Sequence, residues 1–110
     1  EIAAAIAELA ADASLVLTTG GTGVAPRDVT PEATRSVIER EAPGIAELIR
    51  AVGVRETHHA ALSRGITGTR KGTLIVNLPG STAAVVTGMT VLVPLLPHAL
   101  DTLKGHTEHS

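Results

Sequence analysis

Four small residues that could contact an anionic ligand, Gly20-Gly21-Thr22-Gly23, follow a run rich in Leu, Val and Thr at positions 14–19. Glycines directly after a buried strand let the backbone approach a ligand, and their N–H groups can point at an anion. Glycine pairs are also common turn signals, so a plain turn stays an alternative. The segment matches neither the dinucleotide fingerprint nor the Walker pattern. It is a candidate phosphate-binding loop.

A second loop with the same arrangement is Pro79-Gly80-Ser81, which follows the apolar run at positions 73–78. Ligands of open α/β sheets bind at the carboxyl ends of the strands. Two glycine-containing loops that each follow a strand should therefore form one crevice lined by backbone donors. Finding Gly21 and Gly80 at opposite ends of the sheet would contradict this prediction.

Asp28 is the carboxylate nearest to the glycine loop, and it comes just before a helix start at Thr30-Pro31. A carboxylate there can cap N–H groups or hold a metal ion, and both interpretations stay open. Glu32, in the first helical turn, is expected to interact with the helix dipole. Arg64 can bind a phosphate or be a solvated charge.

Alternating helices and strands are expected to position these residues. Helical spacing predicts helices over residues 1–12, 31–41, 44–52 and 81–104, the last kinked or divided at Pro94 and Pro97. We predict Thr30 as an N-cap and no capping residue for the first helix. Strands are predicted over 14–19, 61–69 and 73–78, with a tight turn at Lys71-Gly72. This order indicates an α/β fold with a largely parallel sheet, to which a hairpin formed by the last two strands would add one antiparallel strand.

The composition excludes several classes of function. The chain has 110 residues, a net charge of −2 and 44% apolar residues, so we expect one domain with no nucleic-acid partner. No apolar run is long enough and free enough of proline to predict a membrane span. Cysteine is absent, which removes thiolate sites and suits the cytoplasm. Phe, Tyr and Trp are also absent, so the core must be aliphatic. The histidines, including His106 and His109 in a tail expected to fray, match no metal signature.

The long segment TTGGTGVAPRDVTPEAT at positions 18–34 resembles the signature of the Mog/MoaB-type molybdopterin adenylyltransferases. The segments LSRG at 62–65, TLIVNLPGS at 73–81 and LLPHAL at 95–100 are similar to further signatures of that family. The resemblance implies a three-layer α/β/α sandwich, usually a trimer, of molybdenum-cofactor synthesis. It implies transfer of AMP from Mg-ATP to molybdopterin with release of pyrophosphate. Molybdopterin and the molybdate-inserting enzyme of the pathway are the expected partners.

The same resemblance implies roles for individual residues. Gly20, Gly21, Thr22 and Gly23 would cradle phosphates, and Asp28 would be a catalytic carboxylate that holds Mg²⁺. The pterin pocket would be formed by Ser63, Arg64, Pro79, Gly80 and Ser81. We expect residues 1–110 to be the C-terminal two thirds of the domain, because the family's opening strand and helix and a second acidic loop are absent. The alternative function is a non-catalytic molybdopterin-binding or scaffold protein of the same family.

Overall fold

The computed structural model describes residues 1–105, and the predictions for the tail after Gly105, including His106 and His109, lie outside them. Five α-helices, four strands and two 3-10 helices alternate along these residues. The α-helices are α1 (Ile2–Asp12), α2 (Thr30–Val37), α3 (Pro43–Val54), α4 (Thr82–Leu92) and α5 (Leu96–Leu103). The strands are β1 (Leu15–Thr19), β2 (Arg40–Glu41), β3 (Thr67–Arg70) and β4 (Thr73–Leu78), and the 3-10 helices are His58–Leu62 and Val93–Leu95.

The four strands form one mixed sheet in the order β1-β4-β3-β2. β1 and β4 are parallel, whereas β4 pairs with β3, and β3 with β2, in antiparallel orientation. The predicted α/β class is confirmed, and the predicted hairpin turn lies at Lys71 and Gly72, which have φ values of 48° and 84°. The prediction of a mostly parallel sheet is wrong for the described residues, because β2 and β3 contribute two antiparallel pairs.

Helices cover both faces of the sheet, which gives three layers. Side chains alternate between faces along β4, so Ile75 packs with α1 and α2 while Leu74, Val76 and Leu78 pack with α3 and α4. Both clusters are aliphatic, as a chain without Phe, Tyr and Trp requires. Burial of β4 on both faces explains why its sequence is a nearly continuous apolar run.

Several predicted boundaries are wrong. α2 ends at Val37, and residues 40–41, predicted as helical, form the edge strand β2. Residues 61–66 do not belong to a strand, because part of a 3-10 helix and an irregular segment precede β3. The N-cap of α2 is Val29 without a side-chain cap bond, and the side chain of Glu1 caps α1.

The last helical stretch, Thr82–Leu103, is divided by the 3-10 turn at Pro94, as predicted. It is long and apolar enough to cross a membrane by length and composition, a property shared by core helices of soluble proteins. Only 17% of the apolar 18-residue part of this stretch is buried inside the structure. Its exposed side chains include Val86 at 60% and Val93 at 53%.

Candidate functional site

The two glycine-containing loops meet at the carboxyl ends of β1 and β4. The N–H of Gly20 donates a hydrogen bond to the carbonyl of Leu78 at 3.0 Å. The backbones of Gly20 and Gly80 also lie close together, because a Cβ placed on Gly80 would lie 3.0 Å from the Cα of Gly20. The parallel pairing of β1 and β4 therefore delivers both loops to one edge of the sheet, which confirms that they form one crevice.

Glycine is required at the turn of the first loop. Gly20 and Gly21 have φ values of +85° and +70°, a region that other residues rarely adopt. A Cβ on Gly21 would also lie 2.3 Å from the Oγ1 of Thr30. The carbonyl of Gly21 accepts a hydrogen bond from the N–H of Thr30 at 3.1 Å, so the loop is fastened to the start of α2.

A cavity of about 360 Å³ opens between the loops. It is lined by every residue that the sequence placed in the site except Arg64: Gly20, Gly21, Thr22, Gly23, Asp28, Ser63, Pro79, Gly80 and Ser81. The side chain of Ser81 also caps α4 by accepting from the N–H of Ala84 at 3.1 Å. The N-terminus of α4, whose dipole favours an anion, therefore lies beside the cavity.

Asp28 combines a structural contact with an oxygen that remains free for a ligand. Its Oδ2 accepts from the N–H of Ala25 at 3.0 Å, and its own N–H donates to the carbonyl of Ala25 at 2.9 Å. Within residues 1–105, no donor forms a hydrogen bond with Oδ1. The carboxylate is only partly buried and lines the cavity, so it can contact a bound group there.

Arg64 does not line the cavity, and its guanidinium binds the outer side of the loop. Its Nε donates to the carbonyl of Gly23 at 2.7 Å, and one terminal nitrogen donates to the carbonyl of Asp28 at 2.6 Å. The other terminal nitrogen is 2.5 Å from the carboxylate of Glu32. The hydrogen bond and charge of Arg64 lower the pKa of Glu32, and Glu32 in turn raises the pKa of Arg64.

Asn77, the last but one residue of β4, links the elements that carry the loops. It is 3% exposed, and its Oδ1 accepts from the N–H of Ile66 at 3.1 Å. Its Nδ2 donates to Thr18 of β1 and to Thr34 of α2, both at 2.9 Å. One buried amide thus joins β1, β4, α2 and the segment that follows Ser63.

A second cavity of about 220 Å³ adjoins the first and shares Thr57, Ala60, Ser63, Pro79, Ser81 and Ala84 with it. Its walls are mainly apolar, but Glu56 also lines it. The Glu56 carboxylate accepts a hydrogen bond from the hydroxyl of Thr87 on α4. Arg50 holds the neighbouring segment by donating to the carbonyls of Ser63 at 3.2 Å and Gly65 at 2.8 Å.

Comparison with known proteins identifies this arrangement. A family described as a probable molybdopterin binding domain matches residues 1–98. The chain belongs to this family. It is 41% identical over 92 residues to molybdopterin adenylyltransferase of Helicobacter pylori strain J99. It is 52% identical over 86 residues to the Drosophila melanogaster molybdenum cofactor synthesis protein cinnamon.

The fold of this chain is shared with solved structures. The Mog protein of Mycobacterium ulcerans matches with a TM-score of 0.92 and 42% identity, over 94% of this chain and 69% of that one. The matched part is 84% of this chain and 52% of the H. pylori enzyme, and 78% of this chain and 14% of the Drosophila protein. The chain thus spans about half the length of the bacterial relative.

The sequence alone did not indicate the second cavity. Glu56 follows the end of α3 in a polar segment, where a solvated carboxylate is the ordinary expectation. Only the packing of α3 against α4 brings Glu56 to Thr87. Among residues 1–105, no group of three or more His, Asp or Glu could hold a metal ion. Asp28 is therefore not part of an acidic cluster within these residues.

Proposed function

We propose that the protein is a molybdopterin adenylyltransferase, which transfers AMP from Mg-ATP to the terminal phosphate of molybdopterin and releases pyrophosphate. The observation that carries this proposal is the meeting of the glycine loop, Asp28 and the Pro79-Gly80-Ser81 loop in one cavity. The H. pylori relative with this name supports it, as does family membership. Residues 1–110 are proposed to form the C-terminal two thirds of the catalytic domain.

The larger cavity is proposed to hold the phosphates. The N–H of Gly20 is bonded to Leu78, whereas the N–H groups of Gly21, Thr22 and Gly23 form no hydrogen bond within residues 1–105 and can donate to a ligand. Backbone donors and the N-terminus of α4 stabilise anions without adding a titratable charge. A net charge of −2 leaves little general attraction for two polyanionic substrates, so these local donors carry the binding.

The smaller cavity is proposed to hold the pterin ring. Pro79, Ile49 and alanine side chains give it apolar walls. The chain has no aromatic residue that could stack on the ring, so these aliphatic side chains would contact the faces of the ring instead. The carboxylate of Glu56 can accept hydrogen bonds from the N–H groups of a heterocycle. Ser63, Pro79 and Ser81 line both cavities, so a ligand with a ring and a phosphate tail fits across them.

The reaction needs alignment and charge neutralisation more than covalent help from the protein. A phosphate oxygen of molybdopterin forms a bond to the α-phosphorus of ATP, while the bond from that phosphorus to the pyrophosphate oxygen breaks. Mg²⁺, when bound, supplies neutralisation of the phosphate charge. Asp28 is the residue of this chain that would hold it, through the oxygen that does not bond to Ala25.

The substitution Asp28→Asn in the full-length protein tests this proposal. Asparagine keeps an oxygen for the N–H of Ala25 but removes the charge. We expect pyrophosphate release from Mg-ATP and molybdopterin to slow by about a hundredfold, equal to roughly 2.7 kcal/mol, with the fold intact. Asp12→Asn, an exposed aspartate at the end of α1, is the matched control.

Normal turnover in the Asp28→Asn variant would contradict the metal-holding role. Tight binding of molybdopterin without pyrophosphate release by the unmodified protein would instead establish the alternative, a non-catalytic molybdopterin-binding or scaffold protein. Interaction with the molybdate-inserting enzyme of the pathway follows from either function and is tested by copurification.

We also propose a cytoplasmic homotrimer. The apolar surface of the helical stretch Thr82–Leu103, including Val86 at 60% exposure and Leu95 at 37%, supports association with further copies. Sedimentation equilibrium of the full-length protein should give three times the chain mass. A monomer at micromolar concentration would refute the trimer.

A further inference from the structure

We propose that Arg64 is a positioning residue that holds the segment from Gly23 to Asp28 in the conformation needed for adenylyl transfer. This inference rests on the proposed function, and it assigns Arg64 a place outside the ligand pocket. Arg64 contacts neither cavity, so its effect would pass through Asp28 and the glycine loop.

One planar guanidinium joins the two ends of this segment. Its Nε binds the carbonyl of Gly23 at 2.7 Å, and a terminal nitrogen binds the carbonyl of Asp28 at 2.6 Å. Arginine presents these donors in a fixed fork, whereas lysine offers one ammonium that cannot match both directions. The separation of the two carbonyls is therefore set by the shape of the side chain.

Two further contacts fix Arg64, one through its backbone and one through its guanidinium. The backbone N–H of Arg64 donates to the carbonyl of Thr22 at 2.7 Å. The carboxylate of Glu32, in the first turn of α2, receives donations at 2.5 and 3.4 Å. Arg64 thus connects the glycine loop, Asp28 and α2, three parts that are distant from it in sequence.

This arrangement differs from an ordinary surface ion pair. Arg35 and Glu41 also pair at 2.8 Å, and their side chains are 59% and 40% exposed, similar to the 37% and 61% of Arg64 and Glu32. The difference is that Arg35 forms no hydrogen bond with a loop carbonyl within residues 1–105. Exposed pairs of that kind contribute little to stability. Because the Asp28 carboxylate is carried by the backbone that Arg64 binds, a shift of about 1 Å there can cost about a hundredfold in rate.

The test compares Arg64→Lys with the control Arg35→Lys in the full-length protein. Arg64→Lys should lower kcat for pyrophosphate release about a hundredfold while the unfolding temperature stays close to that of the unmodified protein. Amide hydrogen exchange should accelerate at Asp28 and Thr30, whose N–H groups bond to Ala25 and Gly21, and stay unchanged in β4. Arg35→Lys should change neither measurement.

A double substitution separates positioning from general support of the fold. If Arg64 acts by placing the Asp28 carboxylate, Arg64→Lys should slow the Asp28→Asn variant by less than about threefold. Fully multiplicative effects would overturn the proposal, as would unchanged exchange at Asp28 and Thr30. An unmodified protein without pyrophosphate release would refute the proposed function, and the exchange measurement would still decide whether Arg64 holds the segment.

Discussion

Replacing Asn77 by alanine should destabilise the protein more than the loss of one polar side chain at the surface would. The side chain is 3% exposed and takes part in hydrogen bonds with Ile66, Thr18 and Thr34. Asn77→Ala leaves the buried N–H of Ile66 without an acceptor, because alanine has no side-chain oxygen and the site is closed to water.

The magnitude follows from these partners. An unpaired buried N–H costs about 2 kcal/mol, and loss of the two amide donations adds about 1 kcal/mol. The second figure is small because Thr34 keeps its bond to the carbonyl of Thr30 at 2.8 Å, and half-buried Thr18 can turn to water. The total is about 3 kcal/mol.

Urea denaturation of the full-length protein at fixed concentration measures this loss. With a denaturant dependence of about 2 kcal/mol per molar, the midpoint should fall by about 1.5 M with an unchanged slope. Thr18→Val, which removes one partner of the same amide, should lower the midpoint by less than about 0.5 M. Equal midpoints for Asn77→Ala and Thr18→Val would refute the claim that the N–H of Ile66 dominates the cost.

Two further predictions concern the neighbourhood of α2. Gly21→Ala should cost about 2–4 kcal/mol in the free energy of unfolding, because it combines a φ of +70° with a Cβ 2.3 Å from Thr30. Gly44→Ala, whose Cβ meets nothing within 4 Å, should be neutral or slightly stabilising in the same urea titration. Arg64 holds the pKa of Glu32 below its ordinary value of 4.5, so this pair stabilises the fold fully above that value. The contribution of this pair to the free energy of unfolding should therefore be constant from about pH 6 to 8 and decrease in acid. Glu32→Gln should remove this part of the loss of stability in acid.

Local sequence patterns were sufficient to predict an element where the pattern favours a single conformation. The apolar run of β4, the proline at the start of α2 and the Lys71-Gly72 turn each specify one conformation, and the structure contains all three. β2 was missed because Arg40-Glu41 is a polar pair of residues, and only its partners Thr69 and Gly68 make it a strand. The strand predicted from position 61 failed for a related reason, since Ala61 and Leu62 belong to a 3-10 helix that packs beside α3.

The site shows the same division between local and distant information. Gly20 and Gly80 could be placed at one sheet edge because each follows the end of a predicted strand. The orientation of Arg64 could not, because its partners Gly23 and Glu32 lie 41 and 32 residues away in the chain. The place of Glu56 in the second cavity was missed for the same reason, because Thr87, its partner, lies 31 residues away in the chain.

The close approach of Gly20 and Gly80 has an evolutionary consequence. A Cβ at Gly80 would lie 3.0 Å from the Cα of Gly20, and one at Gly20 would lie 3.9 Å from the Cα of Gly80. A larger residue at position 80 would therefore require the first loop to move away from the second, which would widen the crevice between them. Most substitutions at position 80 are thus excluded as long as the first loop keeps its conformation, and in a library randomised at positions 20 and 80, glycine should dominate at both.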